Sequence, residues 1–349
     1  MSVDVRAWTK SIEQWYLRAA RDLPWRARRT PWRSLVSEFM LQQTQVARVL
    51  ERFEPFMDRY PHPCDLAAAD EQEVLALWQG LGYYRRARNL HQAAKVIVSD
   101  FDGEVPLDVQ LLLTLPGVGR YTAGSIASIV GGERVPIVDG NVTRLLARLH
   151  CDDRRPEDRA YIKQTWQRAE SFVSQCDRPA VLNEGMMELG ALVCLPKAPQ
   201  CDACPLRSKC GAWRAGRVAE VPPPKQPARR SVLHHHAVVI RRGDLVLLER
   251  RGESGLWAGL WQAPSIEGDR KLSTEAVGSK LAYEVEDLSR VGMLTRTLTH
   301  RTVHIYVHVA TFCPDNEIAV DKGVQWVSMG DLASIPLSNA AMAVLNFES

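Results

Sequence analysis

The amino-acid sequence predicts a multidomain protein in which an all-α domain is followed by a smaller α+β domain. The chain has 349 residues, which is enough for two separate cores. Apolar residues recur at helical spacing up to about residue 216, and the alternation typical of strands appears after residue 231. The stretch VPPPKQPARRS separates the two parts and is typical of an extended linker. We expect domains at residues 1–217 and 232–349, joined by a linker at residues 218–231.

The composition is that of an ordinary globular protein, with 46% hydrophobic and 24% charged residues. The sequence has no apolar run long enough to cross a bilayer, and its N-terminus lacks the apolar segment of a signal peptide. We therefore expect a protein of a reducing compartment, without a membrane partner. The net charge of +3 neither requires nor excludes nucleic acid, because local basic stretches decide that question.

Each predicted element follows from local spacing. Helical apolar patterns in the first part indicate helices at residues 35–53, 74–81, 121–130, 142–149 and 186–193. In the second part, HAVVIRRGDLVLLER predicts two strands around a short turn at residues 242–244. The alternating stretch HIYVHVATFC predicts a further strand.

Four of the eight cysteines lie within the stretch CLPKAPQCDACPLRSKC. Six, two and five residues separate them, which is too dense for unrelated thiols in a reducing compartment. A structural zinc site usually pairs two Cys-x-x-Cys hooks, and this stretch has one. A compact loop with a Cys-Pro step favours a [4Fe–4S] cluster over zinc. The candidate ligands are Cys194, Cys201, Cys204 and Cys210.

The stretch LPGVGRYTAGSIASI predicts a helix–hairpin–helix motif over about residues 107–131. Pro116 ends the preceding helix, and Gly117 and Gly119 allow a tight turn that another backbone can approach closely. The next helix begins at about Arg120 with free N–H groups that could bind a DNA phosphate. By itself, LPGVG also fits an ordinary turn between packed helices.

Two carboxylates are candidates for chemistry. Asp139 stands at the N-cap position of a helix, where hydrogen bonds lower the pKa of a carboxyl group and keep it ionised. Such an anion could stabilise a sugar cation, although capping alone explains the position equally well. Glu38 lies among apolar residues, so burial would raise its pKa towards neutrality, although most glutamates of this kind are exposed. Gln42 and Gln45 follow at helical spacing and are expected on the same face as Glu38.

Together these stretches resemble the helix–hairpin–helix DNA glycosylase superfamily, and within it the adenine DNA glycosylases of the MutY type. The resemblance covers nearly the whole chain, from residue 23 to about residue 326. The motifs that carry it are SEFMLQQTQV, WQGLGYYRRARNL, LPGVGRYTAG, VDGNVTR, NEGMMELGALVC and the cysteine loop with its spacing. The resemblance implies a [4Fe–4S] cofactor on the loop at residues 194–210.

The resemblance also implies a function: base excision repair by removal of adenine mispaired with 8-oxoguanine or guanine in double-stranded DNA. Glu38 would be the general acid and base, and Asp139 would stabilise the developing sugar cation. Tyr121 and Asn141 would hold these groups, and Glu184 would be a further active-site carboxylate.

Further residues are assigned by the same resemblance to binding of the base and the DNA. We expect a monomer in the cytoplasm of a bacterium, associated with the nucleoid. The residues are Trp25 and Arg26 in the adenine pocket, Leu41, Gln42 and Tyr83 beside the lesion, and Gly117 and Gly119 at the DNA backbone.

The C-terminal part resembles the Nudix-like domain of this family through ESGLWAGLWQAP and VQWVSMGDLASIPLS. The acidic helix that a Nudix hydrolase uses for Mg²⁺ does not follow Trp261, so we expect a recognition module. The lesion-sensing loop of the family usually reads Phe-Ser-His, and here it reads Leu298-Thr299-His300. Thr299 and His300 keep the polar character, while the aromatic residue is replaced.

Two other functions fit parts of the pattern. An endonuclease III-like glycosylase that also cuts the strand would require a lysine amine for a Schiff base. Tyr121 occupies the hairpin position in question, and no lysine lies between Lys95 and Lys163. A catalytically silent iron–sulfur DNA-binding protein is the other alternative, and the presence of both Glu38 and Asp139 in their motifs argues against it.

Overall fold

The structure is a computed structural model that describes residues 4–224, 230–312 and 323–347. It confirms the predicted fold class, because helices come first and a sheet with two further helices follows. The predicted linker lies partly outside the described residues, and the predicted domain boundaries stay predictions. The helices are α1 (Val5–Ala19), α2 (Pro24–Ala27), α3 (Pro31–Leu41), α4 (Val46–Arg59), α5 (Pro63–Ala67), α6 (Glu71–Leu77), α7 (Arg85–Asp100), α8 (Val109–Leu112), α9 (Arg120–Ser125), α10 (Gly140–His150), α11 (Arg159–Ser174), α12 (Pro179–Leu192), α13 (Gly211–Arg214), α14 (Thr274–Gly278) and α15 (Asn339–Leu345).

The described chain divides into two compact units. The first unit contains α1–α3, α5, the C-terminal part of α7 and α8–α13. The second unit contains α4, α6, the start of α7, the sheet, α14 and α15. Helices from the N-terminal half of the sequence therefore share a unit with the C-terminal sheet.

In the first unit, α1, α10, α11 and α12 pack around one apolar core. The helical spacing predicted for residues 142–149 is confirmed, since the side chains on one face of this helix are all buried, namely Val142, Leu145, Leu146 and Leu149. Aspartate side chains cap the first turns of α1, α10 and α11 by accepting backbone N–H groups. Residues at the centre of this core are Ile12, Val142, Leu145, Leu146, Phe172, Leu182, Met186 and Leu189.

The helix–hairpin–helix motif is formed by α8 and α9. The Asp108 side chain caps α8, which ends at Leu112, before Pro116 rather than at it. Gly117 turns the chain with φ +79°, in the left-handed region that favours glycine. As predicted, the second helix begins at Arg120, and a π-helical segment, Ile126–Val130, continues it.

The second unit contains a seven-stranded sheet. Its main path runs in the order β3-β2-β1-β6-β5, with β4 paired to β1 and β7 paired to β2. The long central strands β1 and β6 are parallel, and the other strand pairs are antiparallel. The strands are β1 (Ser231–Arg242), β2 (Leu245–Arg250), β3 (Trp261–Gln262), β4 (Ser265–Gly268), β5 (Val285–Thr297), β6 (Arg301–Phe312) and β7 (Val324–Ser328).

The sheet carries an apolar core on each face, because alternate residues of β1 point to opposite sides. Ala237 and Val239 pack in one core with α15, whereas Val238 and Ile240 pack in the other with α14. The predicted pair of strands around residues 242–244 is confirmed, with Gly243 at the turn. Among the described residues, no helix has both the length and the apolar character needed to cross a bilayer.

Candidate active site

Glu38 lies on α3, a helix that Thr30 caps and Pro31 begins. The side chains around it are apolar and buried, and Glu38 itself is only 9% exposed. This burial raises the pKa of Glu38 to about 7, against lowering contributions from the side chains of Ser125 and Tyr121. The prediction of a buried glutamate with a raised pKa is therefore confirmed, and the exposed alternative is wrong.

Two glutamines follow Glu38 near the end of α3. Helix α3 ends at Leu41, so Gln42 is its C-cap and Gln45 lies beyond the helix. Gln42 lies one turn after Glu38, and its N–H donates to the Glu38 carbonyl at 3.2 Å. The half-buried Gln42 points its amide at the hydroxyl of Thr122, with 3.5 Å between Nε2 and Oγ1. The prediction that Gln45 shares the helical face of Glu38 is wrong, because the backbone leaves the helical path after Leu41.

Asp139 is the N-cap of α10, as predicted. Its Oδ1 accepts the backbone N–H of Val142 at 2.7 Å, and its Oδ2 accepts the side-chain amide of Asn141 at 2.8 Å. Burial nevertheless raises the pKa of Asp139, and this effect outweighs the hydrogen bonds. The prediction that the helix N-terminus keeps this pKa low is therefore wrong in direction, because desolvation was not visible in the sequence.

Tyr121 lies in the first turn of α9 and faces both carboxylates. Its hydroxyl donates to Met187 Sδ at 3.4 Å. Burial raises the pKa of Tyr121 well above its usual value, and the charges of Glu38 and Asp139 raise it further. The structure therefore brings Glu38, Tyr121 and Asp139 together at one site.

Asn141 is held by the packing of α10 against α12. Arg144 donates from Nη2 to Asn141 Oδ1 at 2.9 Å and to the Gly190 carbonyl at 2.8 Å. A Cβ at Gly190 would lie 2.6 Å from the Asn141 Cβ, so this approach of the helices requires glycine. Arg144 also donates to the Cys194 carbonyl at 2.6 Å, which links the active-site helix to the start of the cysteine loop.

Glu184 lies on α12 between two arginines. Arg29 Nη2 is 2.8 Å and Arg26 Nε is 3.3 Å from Glu184 Oε1. Glu184 is nearly buried and contributes to raising the pKa of Glu38, so it belongs to the same electrostatic environment. Trp25, predicted beside Arg26 in the adenine pocket, is buried on α2.

A second carboxylate on α12 was missed by the sequence analysis. Glu188 lies one turn after Glu184 and binds Arg26 Nη2 at 3.0 Å and Arg21 Nε at 2.8 Å. Burial opposes its ionisation, but hydrogen bonds from Arg21 and Arg26 outweigh that effect and lower its pKa to about 2. The spacing Glu184-x-x-x-Glu188 within NEGMMELG was the available signal.

Asn183 was also missed, and it connects the hairpin to the segment before Asp139. This fully buried amide donates to Ser128 Oγ at 2.8 Å and to the Val135 carbonyl at 2.9 Å. Its Oδ1 accepts the backbone N–H of Ile137 at 3.3 Å. These bonds hold the hairpin helix and the segment before Asp139 in a defined geometry, because a buried polar group that loses its hydrogen-bond partner costs free energy.

Several candidate DNA contacts lie in the second unit. Tyr83 is 51% exposed and has φ +49°, and its hydroxyl is 3.4 Å from the Thr299 hydroxyl. The next residue, Tyr84, is buried and donates to the Leu337 carbonyl at 2.7 Å. Arg86 is buried beneath Tyr83, with its guanidinium carbon 5.5 Å from the ring centroid.

Thr299 and His300 form the exposed turn between β5 and β6. The Ser231 N–H donates to the His300 carbonyl at 3.1 Å, and Arg230 Nε donates to the Leu298 carbonyl at 3.1 Å. Leu298 is half-buried and packs against the core of the sheet. Leu298, where the resemblance places an aromatic residue, therefore faces inwards at this turn.

The four cysteines of the loop line one apolar cavity in the first unit, together with Leu145, Leu149 and Val193. Burial raises the pKa of Cys204 to about 11, and the other three thiols of the set raise it further. Arg148 donates to Cys194 Sγ at 3.3 Å. Within the described residues, no group of three or more His, Cys, Asp or Glu side chains is arranged to hold a single metal ion. The cavity lining is Leu145, Arg148, Leu149, Val193, Cys194, Cys201, Cys204, Arg207, Cys210, Trp213 and Val218.

Comparison with protein families gives two matches. Residues 36–171 match the HhH-GPD superfamily of base excision DNA repair proteins, and residues 235–346 match the NUDIX domain. The chain is 26% identical to a thermostable thymine-DNA glycosylase of known structure, with a TM-score of 0.55 over 60% of this chain and 97% of that one. A trapped endonuclease III–DNA covalent intermediate is 25% identical, with a TM-score of 0.51 over 62% and 99%.

Curated relatives give the same result over most of the chain. It is 32% identical to the adenine DNA glycosylase of Rattus norvegicus over 98% of this chain and 78% of the relative. It is 38% identical to that of Mycobacterium tuberculosis over 74% and 85%, respectively. This similarity agrees with the helix–hairpin–helix fold and with the buried acid beside the hairpin. The chain therefore belongs to the adenine DNA glycosylase family, whose members are N-glycosylases of base excision repair.

Proposed function

We propose that this glycosylase removes adenine mispaired with 8-oxoguanine or guanine and that it does not cut the DNA strand itself. The observation that carries the proposal is Glu38, a buried acid with a pKa of about 7 beside Asp139 and Tyr121. An acid that titrates near neutrality is suited to donating a proton at physiological pH. The adenine must first leave the duplex stack, because these groups cannot reach a stacked base.

Glu38 supplies the proton in the proposed reaction. The protonated carboxyl group donates to a ring nitrogen of the flipped adenine, and the bond between the sugar C1′ and the base nitrogen then breaks. The bonding electron pair leaves with the base, and a cationic sugar remains. The Glu38 carboxylate then accepts a proton from the water that attacks C1′, which regenerates the acid and leaves an abasic site.

Asp139 stabilises the sugar cation in this proposal. Its two oxygens are fixed by the Val142 N–H and the Asn141 amide, so a carboxylate at this position is oriented before the reaction starts. Arg144 and the close contact at Gly190 hold Asn141 in turn. Asn141 is thus assigned a positioning role.

The adenine pocket is assigned to the face formed by Trp25, Arg26 and Glu184. Arg26 and Glu184 form an ion pair that offers both donors and an acceptor to the polar edge of a base. Trp25 adds an apolar surface from the short helix α2. Glu188 fixes the position of Arg26 in this pair, because it forms ion pairs with both Arg21 and Arg26.

The absence of strand cleavage is inferred from Tyr121. A lyase needs an uncharged amine near C1′ to form a Schiff base. The position beside Glu38 and Asp139 holds a phenol, and the stretch between Lys95 and Lys163 has no lysine. The product is therefore an intact strand with an abasic site.

Contacts to the DNA are assigned to three surfaces. Gly117 and Gly119 let the backbone N–H groups of the hairpin approach a phosphate, since neither carries a side chain. Leu41 and Gln42 in the first unit, and separately the exposed Tyr83 in the second unit, are each assigned to contact with DNA bases beside the lesion. Thr299 and His300 are assigned to recognition of the 8-oxoguanine, and the contact between the Thr299 and Tyr83 hydroxyls supports this assignment.

We propose that Cys194, Cys201, Cys204 and Cys210 hold a [4Fe–4S] cluster that orders the loop. The donor set fits this group, because the four cysteines, one buried and three half-buried, line one cavity. Zinc needs all four sulfurs within about 2.3 Å of one ion. The stretch has a single Cys-x-x-Cys pair and a Cys-Pro step, which favour a [4Fe–4S] cluster over zinc. When bound, such a cluster would supply positive charge that stabilises the thiolate form of these cysteines.

The cluster is tested by iron and sulfide analysis of the purified protein. We expect about four irons per chain if the assignment is right. Cys204→Ser should lower the iron content and the affinity for DNA, whereas Cys64→Ser, at an exposed cysteine outside the loop, should change neither. Stoichiometric zinc in place of iron would contradict the assignment.

Base release tests the activity. The full chain is incubated with duplexes that carry adenine opposite 8-oxoguanine, adenine opposite guanine, or thymine glycol, and part of each sample is heated in alkali. We expect cleavage at the adenine only after alkali. Direct nicking would indicate an endonuclease III-like lyase, and binding without cleavage would indicate a silent DNA-binding protein.

Glu38→Gln and Asp139→Asn test the assigned roles. Because general acid catalysis contributes about 10²–10⁴-fold, Glu38→Gln should lower the single-turnover rate by that order while mispair binding persists. Asp139→Asn should lower the rate by about 10²-fold or more. Glu170→Gln, at an exposed glutamate of α11, is the matched control and should react at the wild-type rate.

A further inference from the structure

A buried serine on the hairpin helix contacts the proposed general acid. Ser125 is 2% exposed, and its Oγ lies 2.6 Å from Glu38 Oε1. The other carboxyl oxygen, Oε2, is also buried and has no hydrogen-bond partner among the described residues. The Tyr121 hydroxyl interacts with the same carboxyl group and lowers its pKa, while its hydrogen-bond acceptor by distance is Met187 Sδ at 3.4 Å. The two oxygens of Glu38 are therefore not equivalent.

We propose that Ser125 is a positioning residue for base release, which donates its hydroxyl proton to Glu38 Oε1 and so leaves Oε2 as the oxygen that carries and delivers the catalytic proton. The inference rests on the proposed role of Glu38 as the acid. A carboxyl oxygen that already accepts a short hydrogen bond is the poorer site for a proton. The catalytic proton is therefore held on Oε2.

The backbone supports this geometry from two sides. Ser125 is the last residue of α9, and the π-helical segment Ile126–Val130 that follows packs against α3, the helix of Glu38. Three residues later, Ser128 accepts a hydrogen bond from the buried Asn183 amide. The wider turn of a π-helix changes which side chains of the helix face a neighbour. Ser125 is thus fixed at its contact with Glu38.

The charges around Glu38 determine what the serine does to its titration. Burial is the largest effect and raises the pKa, and the charges of Asp139 and Glu184 raise it further. Ser125 makes the largest lowering contribution and Tyr121 the next. Arg26 and Arg29 are paired with Glu184. Without the serine hydroxyl, the pKa of Glu38 should rise.

The test is the pH dependence of single-turnover adenine release from a duplex with adenine opposite 8-oxoguanine. The reaction needs protonated Glu38, so the rate falls as the pH rises through the pKa of Glu38. Ser125→Ala should move this alkaline fall to higher pH by about half to one pH unit, because a hydrogen bond of about 1 kcal/mol is lost. Its maximal rate should also fall, since the carboxyl group is less well oriented.

Matched variants separate this effect from a structural one. Ser128→Ala removes the other buried serine hydroxyl of the same helix segment, which binds Asn183 and not Glu38. It should lower thermal stability without moving the pH profile. Ser125→Thr, which keeps the hydroxyl, should return the profile towards wild type. If Ser125→Ala does not fold, Ser125→Cys supplies a weaker donor and should give a smaller shift in the same direction.

The outcomes distinguish this inference from the proposed function. If Glu38→Gln keeps its base release, the role of Glu38 fails, and the inference fails with it. If Glu38→Gln is inactive but the Ser125 variants have the wild-type pH profile, or one shifted to lower pH, only the role of Ser125 is overturned. A shift to higher pH that Ser125→Thr reverses supports it.

Discussion

At the scale of single residues, burial has the largest effect on the pKa values of the two active-site carboxyl groups. Glu38 and Asp139 both have raised pKa values, although each accepts at least one hydrogen bond that lowers its pKa. Desolvation therefore outweighs local hydrogen bonding at both positions. A buried acid kept protonated near neutrality is useful for proton donation, and it also has a cost in stability.

That cost gives a prediction for Glu38. The folded-state pKa of about 7 lies above the ordinary value of 4.5, so ionisation opposes folding. The loss of folding stability caused by ionising Glu38 is absent below about pH 4.5. It grows as the pH rises to about 7, where it reaches an upper limit of about 3 kcal/mol. Glu38→Gln should therefore have a higher free energy of unfolding than wild type at pH 8, and the difference should shrink towards pH 5.

Urea denaturation at a series of pH values measures this difference. Glu170→Gln serves as the control, since this exposed glutamate of α11 should leave the pH dependence unchanged. Parallel stability curves for wild type and Glu38→Gln would show that Glu38 is solvated in the folded protein.

At the scale of elements, the active site depends on the contact between α10 and α12. Helix α12 carries Glu184, Glu188 and Asn183, and it approaches α10 closely enough that Gly190 meets Asn141. Small residues permit this approach because a backbone without Cβ can touch a neighbouring helix. The geometry of Asn141 and Asp139 is thus set by a glycine that takes no part in the chemistry.

Gly190→Ala tests this contact. Its new Cβ would meet the Asn141 Cβ at 2.6 Å and the Asn141 carbonyl oxygen at 2.9 Å, so the helices must separate. We expect a loss of about 1–3 kcal/mol in unfolding free energy and a lower rate of base release. For stability, Gly140→Ala is the matched control, because its Cβ would have no neighbour within 4 Å. Equal stability of the two variants would contradict the assigned role of Gly190.

At the scale of the whole molecule, the second unit combines helices from the N-terminal half of the chain with the C-terminal sheet. Arg88 on α7 donates to the Ala258 carbonyl at 2.7 Å and pairs with Glu71 on α6 at 3.0 Å. Trp261 on β3 donates to the Gln72 side chain at 3.1 Å. These bonds join α6 and α7 to the sheet, in the same unit as Tyr83 and Thr299.

Two neighbouring tyrosines test this arrangement. Tyr84→Phe removes a buried hydroxyl that donates to the Leu337 carbonyl, so the free energy of unfolding should fall by about 1–3 kcal/mol. Tyr83→Phe removes an exposed hydroxyl and should leave stability nearly unchanged. Its expected effect is on the preference for 8-oxoguanine over guanine opposite adenine, through the lost contact to Thr299. Thermal unfolding and competition between the two mispairs measure these effects, and a reversed order would contradict the assignment.

Much of the fold could be predicted from local patterns. Helical spacing predicted the buried face of α10, the Gly-rich turn predicted the start of α9, and alternation predicted β1, β2 and β6. The cap at Asp139 was also local, since an N-cap aspartate bonds to its own helix. These features depend on residues a few positions apart, and the sequence displays such relations directly.

The rest depended on which distant residues meet. The sequence by itself determined the fold class, the two candidate carboxylates and the cysteine set, because each shows in the pattern of short stretches. Only the tertiary structure decided that Ser125 bonds Glu38, that Glu188 supports Arg26, and that burial outweighs the cap at Asp139. Desolvation and partner choice are set by side chains far apart in the chain, and no local spacing encodes them.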